Sequence, residues 1–298
     1  MTVEDFSQAY QSRFVTRPEG IRLHLRDYAG PHDAAPVIVC LAGLTRNSRD
    51  FHLFAQQARA QARIIAIDSR GRGQSDPDPD PSRYTIETET DDVLAVLTAL
   101  AIGRAAFIGT SRGGLILHRL VALRPELLSA VVLNDIGPEI PAPALCALIA
   151  GLTARSGETS YEAAADALRL AQADAFPALD AQDWQAMAQA IYRPDAATGG
   201  VVPDYDPALL TGFGGLTPDM VLPDLWQAFA LFAPLPLMVV RGEHSAILPA
   251  SVLEAMAQRH PATRSLIAPG QGHAPLLDRA EIAAPILDFL ASATTPRA

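Results

Sequence analysis

Short apolar runs without charges recur along this chain at intervals long enough for a crossover helix, and that alternation restricts the fold more than any other feature. The runs are PVIVCL at 36–41, RIIAID at 63–68 (charged only at its ends), AAFIG at 105–109, AVVLN at 130–134 and LPLMVV at 235–240. Helix-like stretches at 51–62 and 85–100 lie between the first of them. Strands buried on both faces read as such runs, and strand–helix repetition is the pattern of a mostly parallel sheet flanked by helices.

The spacing breaks once. Between the last two runs lies a segment, residues 137–232, rich in Ala, Asp and Pro, with amphipathic helical pieces at 160–168 and 180–187 behind polar N-terminal residues. It reads as a helical cap set into a core formed by residues 1–136 and 233–298. Residues 211–223, rich in Gly and Pro, read as a loop returning to the core. A chain of 298 residues is long enough for one large domain carrying such an insertion. The residues after Pro296 are expected to be a frayed end.

A formal net charge of −10 without a dense basic run disfavours nucleic acid and anionic membrane surfaces as partners. The opening residues 1–6 lack a basic stretch followed by an apolar core, so no signal peptide is expected. No apolar run is long enough to span a bilayer. With only Cys40 and Cys146, a disulfide framework is not expected either, and the default location is the cytoplasm. The expected partner is a small-molecule substrate, with the oligomeric state left open.

The chemistry concentrates in four short stretches. Gly109-Thr110-Ser111-Arg112-Gly113 stands between an apolar strand and a helix-like run, the context in which G-x-S-x-G makes a strained turn that exposes the serine hydroxyl. The first amides of such a helix point at the reacting carbon, so the Arg112 N–H is a candidate oxyanion donor. Gly270-Gln271-Gly272-His273 lies late in the chain after a strand-like run, and His273 is the candidate base. The other histidines read as core or surface residues, with His244 left open because it follows a strand end beside Glu243. In the stretch 41–48, which bends after the first buried strand, the Leu44 N–H is the candidate second donor. Residues 68–76 form a Gly-rich loop that lacks the lysine and helix of a phosphate-binding loop and reads as a structural turn. No His/Cys/Asp cluster has metal-ligand spacing.

Along nearly its whole length the chain resembles the capped serine esterases and lactonases of the α/β-hydrolase fold, on the four stretches just quoted in their order. The resemblance implies an eight-stranded, mostly parallel sheet with a helical cap after strand six, and no metal or organic cofactor. It carries the nucleophile to Ser111, the base to His273 and the oxyanion amides to Leu44 and Arg112. Ala42-Gly43 stands where relatives often have His-Gly.

The triad acid departs from that pattern. The family usually supplies it just after the strand that ends at Val239-Val240, and Ala246 stands where an Asp is expected. Substitution of an ancestral Asp at 246 is the first-ranked explanation. Asp135, just past the 130–134 run, is the best carboxylate actually present, and Glu243 is a third candidate. The expected reaction is hydrolysis of a carboxylic ester or lactone through an acyl-enzyme. Carbon–carbon bond hydrolysis on the same fold and non-catalytic binding of a small molecule are the alternatives. Trp184, Tyr192, Trp226 and Phe229 are candidate pocket residues.

Overall fold

The computed structural model describes residues 9–294. The opening residues 1–6 and the end after Pro296 lie outside them. Strands β1 (Gln11–Thr16), β2 (Arg22–Tyr28), β3 (Val37–Leu41), β4 (Arg63–Ile67), β5 (Ala105–Thr110) and β6 (Leu128–Asn134) precede the long insertion. A small pair, β7 (Tyr192–Pro194) and β8 (Val201–Pro203), lies within it, and β9 (Leu237–Gly242) and β10 (Arg264–Ala268) follow. The main sheet has eight strands in the order β1-β2-β4-β3-β5-β6-β9-β10. From β4 to β10 every pairing is parallel, while β1 and β2 are antiparallel additions at one edge.

Alternate side chains of the central strands feed two separate cores, because successive Cβ atoms point to opposite faces of a sheet. Val39, Leu41, Phe107, Val131 and Val239 face one layer, where α2 (Ile86–Ala99), α3 (Arg112–Leu123) and α8 (Ala250–Arg259) pack. Ile38, Cys40, Ile108, Val132 and Val240 face the other, against α1 (His52–Ala58) and α9 (Ala280–Thr294). Both faces being covered is what made these strands read as continuous apolar runs.

The segment after β6 carries α4 (Ala142–Thr153), α5 (Tyr161–Gln172), α6 (Ala181–Ile191) and the β7–β8 pair. Ser160 caps α5 by accepting from the Ala163 N–H, and Asp180 and Asp183 form a reciprocal capping box on α6. α5, α6 and the β7–β8 pair share a third apolar cluster built around Phe176, Trp184, Met187 and Ile191, while Ala144 and Leu148 of α4 pack against the main core. At the end of the segment, α7 (Trp226–Ala230) and Phe232 also return to the main core, where Phe229 and Phe232 pack around His118.

Candidate active site

Neighbouring parallel strands present their C-terminal ends along one edge of the sheet, and the loops that follow them meet there. β5 runs into Ser111, which opens α3 at φ 51°, a left-handed conformation that costs a non-glycine residue roughly 1–3 kcal/mol. The turn closes only because its flanking residues lack side chains. A Cβ on Gly109 would lie 2.7 Å from the Gly113 carbonyl carbon, and one on Gly113 would press into the Leu41 backbone. The strain and the close approach lift the serine hydroxyl out of the sheet edge.

His273 follows β10 in a loop tied down by Gln271, whose carbonyl oxygen accepts from the His244 N–H and whose side chain accepts from the Leu276 N–H. The His273 Nε2 lies 2.8 Å from Ser111 Oγ. On the other side of the ring, Nδ1 lies 2.7 Å from Asp135 Oδ2. Three side chains from three separate loops thus form one hydrogen-bonded line.

The carboxylate in that line is Asp135, the best one present in the sequence, and not a residue of the loop around Ala246. Asp135 immediately follows β6, which lies between β5 and β9, so its carboxylate sits between the serine strand and the strand beside β10. Its backbone N–H donates to the Val240 carbonyl, its Oδ1 accepts from the Gly242 N–H, and it is fully buried. Its φ of 58° is one that Asp tolerates better than most residues. Ala246 is solvent-exposed, and the two imidazole nitrogens are taken by Asp135 and Ser111. Glu243 is exposed as well and accepts from the Gly270 N–H at 2.7 Å.

Among the described residues, neither the Leu44 N–H nor the Arg112 N–H has a hydrogen-bond acceptor in the protein. Leu44 lines the same cavity as Ser111 and His273. The Arg112 side chain turns away from it, donating to Glu89 at 2.7 Å and to the Tyr84 carbonyl at 2.9 Å. What the residues at 68–76 contribute is an anchor for the loop that holds Leu44. Arg72 is buried, donates through Nε to the Leu44 carbonyl at 2.7 Å, and pairs through Nη1 with Glu89 at 2.7 Å. Glu89 is therefore shared between Arg72 and Arg112. Burial opposes its ionisation, but the two guanidiniums outweigh that and hold its pKa below the usual carboxylate range. Asp68 accepts from the Ser48 and Gln74 amides and pairs with His24, which fixes the same turn from the other side.

The cavity above the serine has a volume of about 480 Å³, within the range of small-molecule sites. Leu152, Arg155, Phe176, Met187 and Tyr192 of the insertion form much of its wall. Of the four aromatic residues expected there, only Tyr192 lines it. Trp184 lies behind the wall, its ring edge-on to Phe176 at 6.2 Å. Phe229 belongs to the main core, and Trp226 packs on it while its indole N–H bonds Glu139 and Arg259 lies 3.7 Å over its ring. Helical spacing had marked these aromatics as buried without telling which core would take them.

Sequence reasoning missed Arg72, Glu89 and Arg155. Glu89 had left a signal: it falls on the same helical stripe as Ile86, Val93 and Val96, and a carboxylate on an apolar stripe requires a buried partner. Arg155 is a loop residue with no such mark.

The comparisons with known proteins agree with this architecture. A family model described as the alpha/beta hydrolase fold matches residues 36–280. The 3-hydroxybutyrate-oligomer hydrolase of Cupriavidus necator is 30% identical over 273 residues, which cover 89% of this chain and 92% of that protein. The 2-(acetamidomethylene)succinate hydrolase of Mesorhizobium japonicum is 29% identical over 80% of this chain and 82% of its own. Among solved structures, an alpha/beta hydrolase from Novosphingobium aromaticivorans superposes with a TM-score of 0.88 at 35% identity, covering 95% of this chain and 98% of that one.

Proposed function

This chain belongs to the α/β-hydrolase family, and from that premise we propose that it is a serine hydrolase that cleaves carboxylic esters through an acyl-enzyme. The observation that carries the reading is the unbroken contact from Asp135 through His273 to Ser111, at 2.7 Å and 2.8 Å. Ser111 Oγ attacks the ester carbonyl as His273 Nε2 takes its proton. Asp135 keeps the other ring nitrogen protonated and stabilises the imidazolium that forms. The negative charge that develops on the carbonyl oxygen is met by the Leu44 and Arg112 amides, which have no acceptor of their own to give up. The imidazolium then protonates the leaving alcohol, and a water deprotonated by His273 releases the acid from Ser111.

The contact of His273 with Asp135 counts against a non-catalytic binding role, to which a missing acid would give weight. For the ester itself, the Cupriavidus relative's name makes short oligoesters of hydroxy acids the first class to try. The test is labelling by a fluorophosphonate together with hydrolysis of p-nitrophenyl butyrate. Rapid labelling at Ser111 and turnover lost in Ser111→Ala are expected. Equal turnover by Ser111→Ala would end the assignment.

A further inference from the structure

Arg155 lies just past α4 and lines the cavity that holds Ser111 and His273. Its Nη1 is buried and has no acceptor. Among the described residues no carboxylate pairs with it, including Glu158, which shares the cavity wall. The buried guanidiniums around the site, and that of half-buried Arg112, are treated differently. Arg70 is held by Asp78 and Asp92, and Arg72 and Arg112 by Glu89.

A second cation, Arg46, lines the same cavity, with its own charge matched by Asp50 at 2.6 Å. Burial, and then the nearness of Arg46, push the Arg155 pKa down, so the fold works against this charge rather than for it. A half-buried guanidinium left without an anion weighs on the folded state, and an anion entering the cavity relieves it through a charge-assisted, two-pronged hydrogen bond. The fork of Arg matches the planar geometry of a carboxylate.

We propose that Arg155 anchors a carboxylate of the substrate, so that the ester cleaved at Ser111 belongs to a molecule that also carries a free acid group. The proposal rests on the esterase reading for the second half of that statement alone. A linear oligoester of a hydroxy acid has such a group at its end, whereas a neutral ester or a lactone does not. The anchor also gives the cavity a direction, because the acid end is held at the α4 side of the wall and the scissile carbonyl is left for the serine.

Binding can be measured without turnover in Ser111→Ala by calorimetry, with the butanoyl ester of 3-hydroxybutyrate and the methyl ester of the same molecule. The acid is expected to bind at least about tenfold more tightly than its methyl ester. Arg155→Gln in that background should bring the two within about twofold, and Arg155→Lys should keep part of the preference. Because Arg155 has no partner to lose, the melting temperature of Arg155→Gln should stay level or rise, and the acid should raise it only where Arg155 is present. Acid and methyl ester binding alike, neither binding, a preference that survives Arg155→Gln, or a collapse of its melting temperature would overturn the anchor. Hydrolysis is read separately with Ser111 intact: an acid preference in binding without cleavage of either ester would leave the anchor standing and remove the esterase reading.

Discussion

Arg72 and Leu44 are joined by a 2.7 Å hydrogen bond from a buried guanidinium to a main-chain carbonyl. That bond ties the loop carrying one candidate oxyanion amide to Glu89, and through Glu89 to Arg112, the residue carrying the other. The two amides are thus set relative to each other by one carboxylate. Arg72→Met should lower kcat on p-nitrophenyl butyrate by about 10- to 100-fold and leave KM within about twofold, because misplaced donors weaken the transition state more than the bound ester. Arg72→Lys, which reaches one partner but not both, should recover part of the loss. A variant that melts early but turns over normally would reduce Arg72 to a structural role.

Asp135→Asn should cut kcat by about 10³ to 10⁴, since the amide can present Nδ2–H to the ring and favour the wrong tautomer. Ala246→Asp and Glu243→Gln should each leave kcat/KM within about twofold, because both positions face solvent. Steady-state kinetics on the same ester decides between them. Activity that survives Asp135→Asn and rises with Ala246→Asp would restore the acid to the loop after β9.

Gly113→Ala should destabilise the fold by about 2–4 kcal/mol, because its Cβ meets the Leu41 backbone and not a movable side chain. Urea unfolding followed by circular dichroism measures this. Gly103→Ala, at a position where a Cβ meets nothing within 4 Å, is the control and should be near neutral. Equal stability of the two variants would mean that the elbow relaxes without cost.

Acid should weaken the fold well before its carboxylates titrate. Burial lowers the His118 pKa from 6.5 to about 4, although its Nδ1–H donates to the Gly114 carbonyl at 2.8 Å. Between those values the unfolded chain binds the proton and the folded chain does not. Stability is therefore complete above pH 6.5 and is lost as pH falls toward 4, by on the order of 3 kcal/mol from this residue. His52, lowered by burial to about 4 as well, acts over the same window. Denaturant titrations from pH 7 to 4 should show a flatter decline for His118→Leu than for the parent chain, and an unchanged slope would sink the assignment.

What the sequence disclosed follows from how many constraints fell on each segment. β3 to β6 and β9 are buried on both faces, so each was written in apolar residues and was legible without help. β1 and β2 were not, because the edge pair carries Arg13, His24, Arg26 and Asp27, and a polar antiparallel edge has no such run. Ser111 and His273 were visible because turn chemistry surrounds them. The carboxylate beside His273 was harder to rank, because the position after β9 was expected from resemblance, whereas the contact is spatial: any carboxylate that leaves a strand beside β5 and reaches the imidazole satisfies it. Asp135 met that condition in the sequence, directly after a buried run. Which aromatic residues faced the cavity was beyond reach, since periodicity reports that a side chain is buried but not by what.

The main chain leaves β6 at Asp135 and re-enters the sheet at β9, and Asp135 is stitched to β9 at both its N–H and its carboxylate. Just beyond, the Leu225 N–H donates to the Pro138 carbonyl at 2.7 Å, so the two ends of the helical segment are pinned together as well. The segment hangs from a closed frame, and the line from Asp135 through His273 to Ser111 lies on the sheet side of that frame. Replacement, lengthening or loss of helices between residues 138 and 225 can therefore alter what the cavity admits without moving the carboxylate that contacts His273. Descendants of such a chain are free to change what the cavity takes while inheriting the same line of Asp135, His273 and Ser111.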